Sequence, residues 1–126
     1  MSKKPYILVA EDDAVYGSIY QEKLTTEGYE VKILAKGSEV IAEIQHRKPD
    51  LLLLDLLMPI VDGFEILDKL RASKLYKDLP VIVASNLSSN INNEKVARYK
   101  LADYFIKSEV SVDDVVHRIK VTLKVV

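Results

Sequence analysis

With 126 residues and no Cys, the chain is long enough for one domain built on a single sheet covered by helices, and it has no means for disulfides, thiol catalysis or thiolate metal sites. Its 18 Lys and Arg against 19 Asp and Glu leave a net charge near zero, so binding to nucleic acid or to an anionic membrane by this chain alone is not expected. The amino terminus has the pattern of neither a signal peptide nor a membrane span, and we expect a cytoplasmic protein.

The first half of the chain alternates strand-like and helix-like segments, which is typical of a doubly wound α/β sheet. In chain order, the pattern predicts a strand over Tyr6 to Ala10, a helix over Ala14 to Glu27, a strand over Tyr29 to Leu34, a helix from Gly37 to about Arg47, and a strand over Asp50 to Asp55. Val15, Ile19 and Leu24 are expected to form the inward face of the first helix. Gly28 is expected to end that helix.

The second half of the chain continues the alternation. It predicts a helix around Phe64 to Leu70, a strand over Val81 to Ala84, a helix over roughly Glu94 to Lys100, a strand over Ala102 to Ile106, and a last helix that follows a capping box formed by Ser111 and Asp114. The helix before the fifth strand has few apolar residues, so we expect it to be short and mobile.

Two of the predicted strands end in acidic residues. Four consecutive Leu stop at Asp55, and the first strand runs into Glu11, Asp12 and Asp13. If these strands are neighbours, Glu11, Asp12 and Asp55 converge at the carboxyl edge of the sheet, where open α/β sheets carry their chemistry. Helix capping is the simpler interpretation for Asp13 and Asp62. It does not explain Asp55, which lies far from a helix start.

Such an acidic cluster requires a cation. Each pair of like charges about 4 Å apart costs roughly 4 kcal/mol at an effective dielectric constant near 20. Oxygen ligands without His or Cys nearby indicate Mg²⁺, which typically takes one or two carboxylates, keeps waters and shares a phosphate group with its partner.

Ser85 and Lys107 directly follow the fourth and fifth predicted strands. A hydroxyl donor and an ammonium group at the same edge suit a negatively charged group attached to or bound near Asp55. Taken singly, each residue has a simpler interpretation, as a strand-end Ser or a solvated Lys. Together with the acids, they indicate a site for phosphate chemistry.

As a set, these residues resemble the receiver domain of response regulators in two-component signalling, over essentially the whole chain. The motifs that carry the resemblance are Glu11-Asp12, Asp55 with Met58-Pro59 and Asp62-Gly63, Ser85, and Lys107 preceded by Tyr104. The resemblance implies a flavodoxin-like (βα)5 fold, with five parallel strands in the order 2-1-3-4-5 and helices on both faces. It also implies one receiver domain over residues 1–126, with no output domain in this chain.

The resemblance further implies a metal-dependent reaction at Asp55. This residue would accept a phosphoryl group from a histidine kinase or a histidine phosphotransfer protein. Asp12 and Asp55 would bind Mg²⁺ together with the backbone carbonyl of Leu57, and Glu11 would act through water. The domain would catalyse its own phosphorylation and dephosphorylation without being a classical turnover enzyme.

Three further residues are implied in the response to phosphorylation. Ser85 and Lys107 would contact the phosphoryl oxygens, and Tyr104 would be the aromatic switch residue that turns inward when Ser85 moves. The switch would change a surface that binds a downstream partner or forms a homodimer.

Five positions qualify the expectation. Ser108 follows Lys107 where the family usually has Pro, so the bond between them is expected to be trans. Asn86 follows Ser85 where a small residue is usual, and Leu101 precedes Ala102 where Gly is usual. Leu57 is apolar, as is Leu87, and both lie two residues past a site residue, where they are expected to disfavour a hydrolytic water and prolong the life of an aspartyl phosphate.

Two alternatives remain open at the level of sequence. A pseudo-receiver would have the same fold and switch by partner binding without phosphorylation. An aspartate-nucleophile phosphohydrolase would have a similar site, but typically carries a second acid two residues past the nucleophile, where this chain has Leu57.

Overall fold

Strands and helices alternate along the computed structural model, which describes residues 4–86 and 93–124. The strands are β1 (Tyr6–Ala10), β2 (Glu30–Leu34), β3 (Leu51–Leu54), β4 (Val81–Ser85) and β5 (Asp103–Ile106), and the helices are α1 (Ala14–Thr26), α2 (Val40–His46), α3 (Gly63–Ala72), α4 (Asn93–Tyr99) and α5 (Val112–Lys124). Single 3₁₀ turns precede α2 and α5, at Gly37–Glu39 and Lys107–Glu109. No helix in these ranges is long and apolar enough to cross a membrane.

The five strands form one parallel sheet in the order β2-β1-β3-β4-β5. This confirms the predicted flavodoxin-like (βα)5 fold and its strand order. The central strand β3 is buried on both faces, as its run of four Leu predicts. Leu52 and Leu54 pack with α2 and α3, whereas Leu51 and Leu53 pack with α1 and α5. The alternation of side chains along one strand therefore fills two cores.

The inward face of α1 differs from the prediction. Val15 is 68% exposed, and the buried residues of the helix are Gly17, Tyr20 and Leu24. These three are spaced by three and four residues and lie on one face, whereas Val15 precedes Gly17 by two residues and lies nearly opposite. Leu24 is buried as predicted, and Tyr20 fills the core position that Val15 does not.

In the turn after α4, the residue whose backbone favours Gly is Lys100, not Leu101, where the sequence pattern placed the usual Gly of the family. Lys100 has the left-handed backbone, at φ 55°, and Leu101 is buried. The N–H of Leu101 donates to the carbonyl of Val96, and the N–H of Lys100 donates to the carbonyl of Ala97. This is a Schellman motif, in which Lys100 holds the position that favours Gly.

The end of α1 has the same motif with the favoured residue. Gly28 adopts φ 94° there, and the N–H of Tyr29 donates to the carbonyl of Leu24. This confirms Gly28 as the end of the helix. A Cβ added to Gly28 would meet no atom within 4 Å. Gly is therefore favoured at this turn by the left-handed backbone and not by crowding.

Exchanging the residues at these two turns is expected to change stability in opposite directions. Lys100→Gly should stabilise the protein by up to about 1 kcal/mol, because Gly adopts the left-handed backbone without a Cβ penalty, and Gly28→Ala should destabilise it by a similar amount. Urea unfolding measures both effects through the transition midpoint. Lys100→Ala removes the same charge but keeps a Cβ, so a gain as large as that of Lys100→Gly would refute the backbone explanation.

Candidate functional site

An acidic cluster lies at the carboxyl edge of the sheet and consists of Glu11, Asp12 and Asp55. One carboxylate oxygen from each lies within 4.8 Å of the others. The pairing of β1 with β3 explains this convergence, because Ala10 is opposite Leu54 and the N–H of Asp55 donates to the carbonyl of Ala10. Glu11 and Asp55 are buried, at 3% and 5% exposure, whereas Asp12 is exposed. The predicted convergence of these three acids is therefore present.

The ammonium group of Lys107 lies between the two buried acids. Its Nζ is 2.5 Å from Glu11 Oε1 and 3.0 Å from Asp55 Oδ2. Burial raises the pKa of Glu11, and this effect outweighs the hydrogen bond from Lys107. Burial alone would lower the pKa of Lys107, but the hydrogen bonds to Glu11 and Asp55 hold it above its ordinary value. Lys107 is therefore a buried cation held by opposite charge and not a solvated strand-end residue.

The second oxygen of each buried acid also has a donor. Asp55 Oδ1 accepts a 2.9 Å hydrogen bond from the N–H of Leu57, and Glu11 Oε2 accepts a 3.0 Å bond from the N–H of Asp13. Asp13 caps α1 and Asp62 caps α3 through their own carboxylates. Helix capping thus accounts for Asp13 and Asp62, in agreement with the simpler interpretation. It does not account for Glu11, Asp12 and Asp55 of the acidic cluster.

Ser85 and Tyr104 lie on the two strands that complete this edge. Ser85 is the last residue of β4, is 1% exposed, and pairs in register with Ile106, the residue before Lys107. Tyr104 is half-buried and packs against the core on the α2 and α3 side of the sheet. The fold therefore places Ser85 at the same sheet edge as Lys107, with Tyr104 further back along β5.

Tyr16 is a contact of the site that the sequence pattern does not predict. Lys107 Nζ lies 4.4 Å from the centroid of the Tyr16 ring, within the range of a cation–π interaction. The pairing joins the third residue of α1 to a residue that follows β5, so no local spacing signals it. A weaker signal for this contact is the position of Tyr16, about one helical turn after the acidic residues.

The unusual residues Asn86 and Ser108 contact each other. The N–H of Ser108 donates to Asn86 Oδ1 at 2.9 Å. A Pro at position 108 would have no N–H to donate, so the two departures from the usual family pattern are linked. No peptide bond in the described ranges is cis, which agrees with the expected trans bond after Lys107. Leu57 is 49% exposed, and Leu87 lies outside the described residues.

A family model described as the response regulator receiver domain matches residues 7–120. The chain belongs to this family. Among solved structures, this receiver domain is similar to a CheY-like receiver domain protein of Methanospirillum hungatei JF-1, with 30% identity, a TM-score of 0.85, and coverage of 97% of this chain and 95% of that one. It is also similar to the BeF3-activated receiver domain of Klebsiella pneumoniae RstA, with 25% identity, a TM-score of 0.78, and coverage of 92% and 96%.

Curated relatives of this receiver domain are longer proteins. The phosphate regulon transcriptional regulatory protein PhoB of Rhizobium meliloti (strain 1021) is 30% identical over 120 residues, which cover 95% of this chain and 52% of that protein. The transcriptional regulatory protein PrrA of Mycobacterium bovis is 32% identical over 122 residues, which cover 95% and 50%. The chain therefore spans about half the length of these curated relatives.

The acidic cluster of this receiver domain fits a small divalent cation. The cluster holds three carboxylates, and the Lys107 ammonium group contacts two of them, so an excess of two negative charges remains when all the acids are ionised. The donors are oxygens, which suit Mg²⁺. The exposed Asp12 leaves the cluster accessible from solvent. This balance of charge is the physical reason to expect a metal at these residues.

Proposed function

We propose that the protein is a signalling module activated by phosphorylation of Asp55. The observation that carries the proposal is the contact of Lys107 Nζ with Asp55 Oδ2 at 3.0 Å, inside a cluster with two further acids. A buried carboxylate beside a fixed cation is arranged to react with an anionic group, because the cation offsets the charge that the group brings. The donor would be a histidine kinase or a histidine phosphotransfer protein, acting in the cytoplasm.

The reaction is a transfer of a phosphoryl group to a carboxylate. One Asp55 oxygen attacks phosphorus while the phosphorus–nitrogen bond of the donor phosphohistidine breaks, and the bonding electrons leave with the imidazole. Lys107 donates hydrogen bonds to the transferred group, and the Ser85 hydroxyl donates another. Asp12, Asp55 and the Leu57 carbonyl would hold Mg²⁺, with Glu11 acting through water. When bound, Mg²⁺ supplies positive charge that stabilises the transferred oxygens.

Phosphorylation would switch the domain by redirecting Ser85 and Lys107. The new group adds about 1.5 to 2 negative charges, and Lys107 would leave Glu11 to contact it. Movement of Ser85 makes room for Tyr104 to turn inward. Near-complete switching requires about 5.5 kcal/mol of differential stabilisation, which is more than one ion pair and one hydroxyl hydrogen bond supply, so a downstream protein or a second copy of the chain would complete it.

Intact-mass measurement after incubation with acetyl phosphate tests the proposal. Wild type should gain one phosphoryl group in Mg²⁺, and should gain none in chelator. Asp55→Asn should gain none under either condition while keeping a folded circular-dichroism spectrum. Absence of an adduct in wild type would refute the proposal and favour the pseudo-receiver, in which partner binding alone acts on the same surface.

The aspartyl phosphate is expected to be long-lived. Leu57 is half exposed beside Asp55, to which its N–H donates, and its apolar side chain offers no hydrogen bond to an attacking water. Leu57→Asn should therefore shorten the lifetime several-fold by holding that water. Decay of the adduct mass after removal of acetyl phosphate measures both rates. A wild-type half-life of seconds in Mg²⁺ buffer would contradict the expectation.

A further inference from the structure

We propose that Tyr16 is a positioning residue for Lys107, and this inference rests on the proposed phosphorylation of Asp55. The centroid of the Tyr16 ring lies 4.4 Å from the Nζ of Lys107, an ammonium group that also contacts Glu11 and Asp55. The side chain of Lys107 is only 6% exposed. A cation–π contact gains strength when the cation is shielded from water. The low exposure of Lys107 therefore favours a strong contact with the ring.

The ring of Tyr16 is itself held in place. The N–H of Tyr16 donates to the capping carboxylate of Asp13 at 3.2 Å, which fixes the first turn of α1. Its ring packs at 6.1 Å between centroids against Tyr20, which is 1% exposed. A side chain anchored through a helix cap and a buried neighbour loses little further freedom when it contacts a cation.

The side chain of Lys107 needs such support because it reaches across several strands of the sheet. It follows β5, and it reaches Glu11 at the end of β1, with β4 and β3 lying between these strands in the sheet. A Lys side chain has many rotamers and pays a large entropy cost to adopt one. The carboxylates hold its tip through directional hydrogen bonds, whereas the ring attracts it without requiring one donor direction.

The chemical character of the ring suits the reaction. Glu11 and Asp55 compete with an incoming phosphoryl group for the ammonium protons, but the face of a ring does not occupy them in the same directional way. Lys107 can therefore exchange Glu11 for a phosphoryl oxygen while it keeps the contact with Tyr16. The ring would hold the ammonium group near Asp55 both before and after the transfer.

The test compares Tyr16→Leu with Tyr16→Phe in the full chain. Tyr16→Leu should slow adduct formation from acetyl phosphate in Mg²⁺ by about tenfold, as expected for a shielded cation–π contact. Tyr16→Phe keeps the ring face and should react at nearly the wild-type rate. Tyr76→Leu removes another half-buried Tyr, which packs against the other core, and should leave the rate unchanged. Tyr16→Met replaces Tyr16→Leu if the latter does not fold.

Two further measurements separate positioning from packing. In a Lys107→Met background, Tyr16→Leu should cause no further loss of rate, because the residue through which it acts is gone. In nuclear magnetic resonance spectra, the ε-methylene protons of Lys107 should show a ring-current shift that Tyr16→Phe retains and Tyr16→Leu loses. An additive loss in the Lys107→Met background, or an unshifted Lys107 in wild type, would overturn the inference.

The outcomes distinguish this inference from the function on which it rests. If wild type forms no adduct, the proposed function fails, whatever the spectra show. If wild type reacts and Tyr16→Leu reacts equally fast, phosphorylation stands and the role of Tyr16 fails. Equal slowing by Tyr16→Phe and Tyr16→Leu would also refute the role, since it would implicate the hydroxyl group or general packing in place of the ring face.

Discussion

Replacement of Lys107 by Met is expected to destabilise the protein by about 3 to 5 kcal/mol in Mg²⁺-free buffer near neutral pH. The two acids that contact Lys107, Glu11 and Asp55, are both buried. Without the ammonium group, two buried negative charges face each other with no cation between them, and their repulsion adds to the cost of keeping each out of water. Urea unfolding in chelator measures the loss.

Mg²⁺ should return part of the stability that Lys107→Met loses. A cation that binds the folded state alone stabilises it by about 2.7 kcal/mol at one hundred times its dissociation constant. The gain should be larger in the variant than in wild type, because Lys107 no longer competes for the carboxylates. The double variant Asp55→Asn, Lys107→Met is the control and should recover much of the loss without metal. Failure of both rescues would place the instability in lost packing.

The stability of the single variant Lys107→Met should depend on pH through Glu11. Burial raises the pKa of Glu11 above its ordinary value of 4.5, so the folded protein binds a proton there more readily than the unfolded protein does. Stability is then gained as the pH falls through the window between the raised and the ordinary value, and lost as the pH rises through it. In wild type, the hydrogen bond from Lys107 lowers the pKa of Glu11. Its removal should therefore raise this pKa further and widen the window. Unfolding midpoints across a pH series in chelator measure this.

The sequence predicts the acidic edge because strand ends are local and periodic features. Runs such as the four Leu before Asp55 identify a buried strand, and the parallel fold brings strand ends to one edge. The contacts of Lys107 with Glu11 and Tyr16 are different in kind, because they depend on how far a flexible side chain reaches across the sheet. No spacing along the chain encodes that reach.

The same distinction explains the results for the fold. Strand order follows from the recognised family pattern and agrees with the structure. The exposure of Val15 and the left-handed backbone of Lys100 escape prediction. Rotation of α1 is decided by which residues fill space against the sheet, and the final turn of α4 by where the helix stops, and neither is fixed by apolar content alone.

Arg71 forms an anchor for the end of α4 that the sequence pattern also does not reveal. This residue lies near the end of α3, and its Nε donates to the carbonyl of Tyr99 at 2.6 Å. Its Nη1 donates to the carbonyls of Tyr76 and Lys77, each at 3.1 Å. Tyr99 is the last residue of α4, so its carbonyl belongs to the final turn, where helical carbonyls lack partners and a cation complements the helix dipole.

Replacement of Arg71 by Ala should destabilise the protein by about 2 to 4 kcal/mol, because it removes charged hydrogen bonds to three carbonyls at once, two of them in partly buried positions. The helix most affected should be α4, which has seven residues and is too short to be stable without tertiary contacts. Urea unfolding gives the global loss. Amide hydrogen exchange of residues 94–99 shows whether α4 opens before the rest of the protein.

Lys69→Ala is the matched control, because Lys69 is an exposed basic residue on the same helix and its removal should change stability little. Arg71→Lys should fall between, since it keeps the charge but cannot reach three carbonyls with a planar fork.

The bonds of Arg71 go to α4 and to the segment after α3, not to the acidic cluster. Acetyl phosphate should therefore still modify Arg71→Ala in Mg²⁺. Faster exchange in α4 with an unchanged rate of modification would separate anchoring of this helix from the chemistry at Asp55. Unchanged exchange would show that other contacts hold α4.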